Sequence, residues 1–100
     1  MPYLIAPAAI SDIDEIWSYI LDESGSQEIA DRLTDTIYSR ILLLASFPYL
    51  GRGRSGDMGE GMRSFLVGEY VIVYWLDTDR CVHVLRVVHG RRDLEALFGH

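Results

Sequence analysis

The side chains of this sequence that could do chemistry include three histidines and one cysteine. His89 ends an apolar, strand-like run and is able to carry a proton near neutral pH, but no partner for it is evident, which favours a structural or capping role. His83 is expected to be an ordinary strand residue, His100 is terminal, and Cys81 is expected to be a buried free thiol. Their spacing matches no metal motif, so we expect no metal site and no cofactor.

Arginines are the other candidate functional residues. Arg63 and Arg86 each interrupt an apolar run, and alternation along a strand gives each side chain a definite face. One interpretation places them on the sheet face away from the helices, near Arg91 and Arg92, as a contact surface for a partner. The other, equally open, is a solvated face or an ion pair. The acidic residues Asp12, Asp14, Glu15, Asp31 and Asp35 are most simply solvated helix faces.

Composition and charge restrict the class of protein. The 100 residues carry a net charge of −6, and all nine basic residues are arginine. A protein that binds nucleic acid mainly through phosphates is usually basic, so this balance argues against that class. No apolar run reaches the roughly 18 residues of a membrane span, and Met1-Pro2-Tyr3 lacks the features of a signal peptide. We expect one domain over residues 1–100, located in the cytoplasm and without a membrane partner.

The periodicity of apolar residues predicts two helices in the first half of the chain. A short strand over residues 3–6 precedes helices over residues 8–23 and Gln27–Ser46, where apolar residues recur with a 3.6-residue period. The apolar stripes are Ile10, Ile13, Ile16, Trp17, Ile20 and Leu21 in the first helix and Ala30, Leu33, Ile37, Ile41 and Leu44 in the second.

The second half of the chain predicts a sheet. Residues 48–61 are expected to form one long loop, followed by strands over Met62–Val67, Tyr70–Leu76 and residues 81–89, with a short helical tail over residues 91–98. Gly68-Glu69 suits a type II′ hairpin. The predicted fold class is α+β, two-layer, in β-α-α-β-β-β order, with an antiparallel helix hairpin packed on one face of a mainly antiparallel sheet.

Several motifs occur in a fixed order along this layout. They are Ala9, Asp12, Ile13 and Ile16 in the first helix, Phe47-Pro48-Tyr49-Leu50-Gly51-Arg52 after the second, Gly68-Glu69-Tyr70-Val71-Ile72-Val73-Tyr74 in the hairpin, and His89-Gly90-Arg91-Arg92-Asp93 at the end. Across nearly the whole chain, this set resembles the RelE/ParE toxin superfamily, and within it the ParE-like branch. The resemblance implies the toxin of a type II toxin–antitoxin system.

The resemblance implies one of two activities. RelE-like members cut messenger RNA on the ribosome with basic strand residues and a C-terminal Tyr or His, because phosphodiester cleavage needs positive charge and a proton carrier. The corresponding positions here fall at Met62, Ser64, Val71 and near Leu97, and only Arg91 is kept. This pattern favours a ParE-like inhibitor of DNA gyrase that is not an enzyme. A messenger endoribonuclease using Arg91 and His89, and a degenerate toxin that only binds its antitoxin, remain alternatives.

A cognate antitoxin, ParD-like or similar, is the partner that the resemblance implies. Large apolar residues at or beyond the edge of the predicted core support a partner surface. They are Tyr38, Leu42, Leu43, Tyr49, Trp75, Leu94, Leu97 and Phe98. The candidate partner-binding residues are Arg52, Arg54, Arg63, Arg86, Arg91, Arg92, Leu94, Leu97 and Phe98. A hetero-oligomer is expected, with operator DNA contacted only indirectly, through the antitoxin complex.

Overall fold

Five strands and three helices occupy the part of the chain that the computed structural model describes, residues 3–94. In chain order they are β1 (Tyr3–Ile5), α1 (Pro7–Ser24), α2 (Gln27–Ser46), β2 (Arg52–Gly53), α3 (Ser55–Met58), β3 (Met62–Val67), β4 (Tyr70–Leu76) and β5 (Val82–His89). Of the predicted tail, residues 91–93 form a turn, and residues 95–98 lie outside the described residues.

Local signals fix where the two long helices begin and end. Pro7 occupies the start of α1, where its missing N–H costs no helical hydrogen bond. Gly25 ends α1 in the left-handed conformation, with φ of 68°, and donates its N–H to the Leu21 carbonyl. The Ser26 hydroxyl then accepts the Ile29 N–H and caps α2. These signals, with Pro48 just beyond the end of α2, explain why the predicted bounds of both helices agree with the structure to within one residue.

The sheet has the strand order β1-β5-β4-β3-β2. The first strand pairs parallel to β5, and the other neighbours are antiparallel. Gly68 has a φ of 61° at the first position of the β3–β4 turn, as a type II′ hairpin requires. A register shift opposite Val73 and Tyr74 marks a bulge in β5, where Leu85 is the extra residue. The bulge changes which β5 side chains face the helices.

Both long helices pack on the same face of the sheet, so the predicted α+β class is confirmed. The core joins Ile13 and Ile16 of α1, Ile37, Ile41 and Leu44 of α2, and Ile72, Tyr74, Val82, Val84 and Val87 of the sheet. Ile10 was wrongly included in the apolar stripe, because its side chain is 43% exposed. The core position belongs to Ala9, which shares a face with Ile13, Ile16 and Ile20, and Ile10 lies one residue, or about 100°, away.

The prediction of one long loop over residues 48–61 is wrong. Arg52 and Gly53 pair with Ser64 and Arg63 to form the edge strand β2, and the single turn of α3 follows. The glycines that predicted a loop do not prevent this pairing, because β2 contributes only two residues to the sheet edge.

Within residues 3–94, no helix is both long enough and apolar enough to cross a membrane.

Candidate functional site

A cleft of about 540 Å³ lies between α1 and the end of β5. It brings together five of the titratable residues that the sequence singled out, Asp12, Glu15, Arg86, His89 and Arg92. Its lining consists of Asp12, Glu15, Ile16 and Tyr19 from α1, Tyr70 from β4, Arg86, Val87, Val88 and His89 from β5, and Arg92 and Asp93 from the following turn.

The base of the cleft is an ion pair between α1 and β5. Arg86 donates from Nε and Nη2 to the two oxygens of Asp12, at 2.7 and 2.8 Å. Asp12 also accepts the Val87 N–H at 2.9 Å. This bond gives the Val87 N–H an acceptor on the edge of β5 that β1 does not cover, because β1 pairs with β5 only as far as Val84. The hydrogen bond to Asp12 raises the pKa of Arg86, which stays charged.

Of the two interpretations that the sequence left open for Arg86, the structure shows the ion pair, and the expectation for Asp12 is wrong. Arg86 does not form a free contact surface with Arg63 on the far side of the sheet, because its guanidinium is held by α1. Asp12 is not a solvated helix residue, because its side chain is only 12% exposed. The quoted first-helix motif contained Asp12, but nothing in the local pattern distinguished it from the exposed acids around it.

His89 has a structural role at the rim of the cleft. Its Nδ1 accepts the Arg92 N–H at 3.2 Å, and its ring meets Tyr70 edge-on, with centroids 5.6 Å apart. The His89 N–H is in turn 3.4 Å from the Asp93 carboxylate. These contacts cap the turn after β5, which is the role that the sequence favoured for this histidine. Because Nδ1 accepts a hydrogen bond, a neutral His89 carries its proton on Nε2.

The charges of the cleft do not suit a phosphodiester. Three carboxylates line it against two guanidinium groups. Both guanidinium groups are already paired, Arg86 with Asp12 and Arg92 with Asp93. Arg92 also lies over the Tyr19 ring, 5.6 Å from its centroid. Burial raises the pKa of Tyr70 above its ordinary value, so its phenol stays protonated at neutral pH.

Arg63 lies on β3, outside this cleft, and holds the turn after α2. Its guanidinium donates to the carbonyls of Tyr49 and Gly51 and lies over the Tyr49 ring, 5.3 Å from the centroid. Register pairs Arg63 with Tyr74, a core residue, so Arg63 shares the helix-facing side of the sheet. The expected placement on the far side is therefore wrong for Arg63.

The remaining predicted site residues are dispersed. Arg54 is held by Asp57 and by the Ser64 hydroxyl, and Arg52 and Arg91 are exposed. Leu94 is half-buried, while Leu97, Phe98 and His100 lie outside the described residues. Cys81 is half-buried rather than buried, and His83 is bound to Asp77 rather than being an ordinary strand residue.

Replacing Asp57 with asparagine should loosen the segment over residues 52–61. Arg54 bonds both carboxylate oxygens, and this bonding holds the pKa of Asp57 below its ordinary value. The stabilising contribution is therefore complete above the unfolded value of about 3.9 and is lost as pH falls through the lower folded value. We expect lower amide protection factors across this segment in Asp57→Asn at neutral pH, and in the unmodified chain only in acid. Glu60→Gln is the control, and equal exchange in the two variants would contradict the assignment.

Comparison with known proteins agrees with this small α+β fold. The family described as "ParE toxin of type II toxin-antitoxin system, parDE" matches residues 3–94. Toxin ParE1 of Mycobacterium tuberculosis is 28% identical over 93 residues, covering 93% of each chain. Toxin ParE1 of Caulobacter vibrioides is 26% identical over 98 residues, covering 98% of each chain.

Two solved structures share the fold. A chain of the chromosomal ParDE system of P. aeruginosa superposes with a TM-score of 0.76 at 19% identity, covering 89% of this chain and 95% of that one. A chain of the toxin–antitoxin complex RelBE2 of Mycobacterium tuberculosis gives 0.55 at 21% identity, covering 89% and 99%. The fold is that of RelE/ParE toxins. The chain belongs to the ParE toxin family of type II toxin–antitoxin systems.

Proposed function

We propose that this chain inhibits DNA gyrase by binding it, without catalysing a reaction, and that a cognate ParD-like antitoxin neutralises it in the cytoplasm. One observation favours an inhibitor over an endoribonuclease. It is the residue types at the positions where RelE-like toxins need cations and a proton carrier. Except for Arg91, which is kept, those positions hold uncharged side chains, two of which, Ser64 and Val71, are buried.

Ser64 and Val71 illustrate why messenger cleavage is disfavoured. Both are buried, at 7% and 6% exposure, and neither side chain is cationic. The cation nearest to Ser64 is Arg54, which donates to its hydroxyl at 3.0 Å but is already neutralised by Asp57. His89, the proton carrier of the alternative, uses Nδ1 to cap the turn. A developing phosphorane would therefore meet no unpaired cation at these described positions.

An apolar surface at the end of α2 supports an antitoxin partner. We call it the α2-end patch. It consists of Leu42, Leu43, Phe47, Tyr49 and Leu50, all exposed. Part of it lines a cavity of about 500 Å³ together with Ser46 and Pro48. A contiguous exposed apolar surface on a small domain usually marks a partner site. Both structural neighbours come from toxin–antitoxin systems, so an antitoxin segment is the occupant we propose.

The predicted edge residues divide between this patch and the rest of the molecule. Leu42, Leu43 and Tyr49 belong to the patch, Tyr38 is exposed one turn earlier on α2, and Trp75 is half-buried in β4.

The exposed Arg52 and Arg91 are the arginines best placed to meet acidic antitoxin residues. Such pairs would favour rapid capture and specificity more than affinity. The complex would contact operator DNA through the antitoxin rather than through this acidic chain.

One set of assays tests the proposal. The purified chain should inhibit gyrase supercoiling, and addition of the neighbouring gene product should relieve the inhibition and raise the melting temperature. It should not cleave messenger RNA on ribosomes. If the chain cleaves messenger RNA on ribosomes and Arg91→Ala abolishes that cleavage, the chain is an endoribonuclease and the proposal is wrong. Antitoxin binding without any gyrase inhibition would replace it with a degenerate binding module.

A charge placed in the α2-end patch tests the docking site within the same assays. Phe47→Asp should weaken antitoxin binding by a factor of about 10 or more, because it buries a charge at an apolar contact. Leu66→Asp is the matched control, since Leu66 is exposed to a similar extent, 67% against 61%, but lies on β3 outside the patch. Equal antitoxin affinity of the two variants would show that the antitoxin does not dock on the α2-end patch.

A further inference from the structure

The turn between β4 and β5 brings together three side chains of metal-binding type. Asp77, Cys81 and His83 each direct one donor atom inward, and these three atoms lie within 4.8 Å of one another. The donors are a carboxylate oxygen, a thiol sulfur and an imidazole nitrogen. From this geometry we propose that Asp77, Cys81 and His83 bind a zinc ion, a site that the sequence spacing did not predict.

The turn holds the carboxylate of Asp77 in position before any metal binds. Its Oδ1 accepts the N–H groups of Asp79 and Cys81, at 2.8 and 3.0 Å. The Asp77 N–H in turn donates to the Cys81 carbonyl and closes the turn. With Oδ1 fixed by the backbone, Oδ2 is left facing His83 Nε2 at 2.9 Å. Supporting hydrogen bonds of this kind orient a ligand and raise metal affinity.

Strand alternation places the other two donors on one side. Val82, between them, is completely buried in the core under the helices, so Cys81 and His83 both turn away from it. The His83 ring stacks on Trp75, with centroids 4.5 Å apart and planes 21° from parallel. This stacking limits rotation of the ring and keeps its Nε2 edge toward Asp77.

The donor set and its spacing suit zinc. Zinc binds carboxylate, imidazole and thiolate at about 2.0 to 2.3 Å, which separates the donors of a tetrahedral site by about 3.3 to 3.7 Å. The His83 Nε2 to Asp77 Oδ2 distance of 2.9 Å is a little shorter than this range, and all three donor atoms lie within 4.8 Å of one another, so small side-chain rotations bring them into place. All three residues are half-buried, which leaves the fourth position accessible to water.

Zinc binding deprotonates one ligand, Cys81, and shifts the ring proton of a neutral His83 from Nε2 to Nδ1. The Cys81 thiol loses its proton to solvent as the sulfur–zinc bond forms. The hydrogen bond between His83 and Asp77 is replaced by bonds from each to the ion, with the imidazole proton on Nδ1. Asp77 binds as the carboxylate. No electron is transferred, since zinc is not redox-active.

Cobalt and zinc titrations of the whole chain test this site directly. The chain is purified without a histidine tag, kept reduced and freed of metal with a chelator. Cobalt should produce the near-ultraviolet absorption of a thiolate-bound ion, zinc should abolish that absorption by displacement, and zinc should raise the melting temperature.

Variants separate a built site from adventitious binding. Cys81→Ser should remove the thiolate absorption, and His83→Gln and Asp77→Asn should each weaken zinc binding by a factor of about 10 or more. Asp79→Asn is the control, since it removes a carboxylate from the same turn without removing a ligand. Circular dichroism checks that each variant is folded. Absence of the thiolate absorption, or zinc affinity unchanged in Cys81→Ser and His83→Gln, would show that Asp77 and His83 are only a hydrogen-bonded pair.

Discussion

Gly51→Ala should lower the free energy of unfolding by about 3 kcal/mol, because the added methyl group has no room. A Cβ at this position would overlap the Tyr74 hydroxyl and would lie 2.7 Å from Tyr74 Cε1 and 2.8 Å from the Ser64 carbonyl oxygen. The Ser64 carbonyl belongs to the backbone of β3 and cannot rotate away. The loss also includes the hydrogen bond from the Gly51 N–H to the Tyr74 hydroxyl, which is 3.0 Å long and buried.

Urea unfolding of Gly51→Ala beside Gly53→Ala measures this effect. Gly53 lies two residues further on, and its added Cβ would approach only the Arg63 guanidinium, at 3.7 Å. Both substitutions change the unfolded chain in the same way, so their difference reports the contact with Tyr74 and Ser64. Tyr74→Phe should relieve part of the overlap, making the double variant more stable than additivity predicts. Equal midpoints for the two glycine variants would contradict this account.

The role of Gly51 shows that a sequence resemblance can include a structurally important residue without giving the physical reason for it. The Phe47-to-Arg52 motif was identified from its residues, yet its physical reason lies in Tyr74, which donates to the Pro48 carbonyl and accepts from Gly51. These contacts join positions 26 and 23 residues apart. Periodicity and turn chemistry describe neighbours along the chain, so they predicted both long helices and the hairpin but not this anchor.

Strand β5 shows a second limit of local patterns. Simple alternation from Val82 and Val84, both fully buried, would turn Arg86 toward the core and Val87 away from it. The bulge opposite Val73 and Tyr74 adds one residue, so Val87 is buried at 1% exposure and Arg86 escapes. A charged residue at a position where strand alternation would face the core is itself a signal of a bulge. The sequence still does not identify the partner of Arg86, because Asp12 lies 74 residues away in α1.

Asp12→Ala should lower the free energy of unfolding by about 2 to 3 kcal/mol. The carboxylate makes three hydrogen bonds, two with Arg86 and one with the Val87 N–H. Breaking a fully buried ion pair costs more than this, but the Arg86 side chain is 36% exposed and water will solvate it in part. Most of the loss therefore comes from the backbone N–H of Val87, which is left without an acceptor at the edge of the sheet.

Three variants distinguish the strand edge from the ion pair. Asp12→Asn keeps an acceptor for Val87 but loses the charge, so its loss should be about half that of Asp12→Ala. Arg86→Met, which leaves the Asp12 bond to Val87 intact, should cost less than Asp12→Ala. Asp14→Ala is the control, because Asp14 is exposed on the same helix, and its effect should stay within about 0.5 kcal/mol. If Arg86→Met destabilises the chain as much as Asp12→Ala does, the ion pair rather than the strand edge holds α1 to β5. If all four variants unfold at the same urea concentration as the unmodified chain, Asp12 has no structural role, and α1 is held by its apolar face alone.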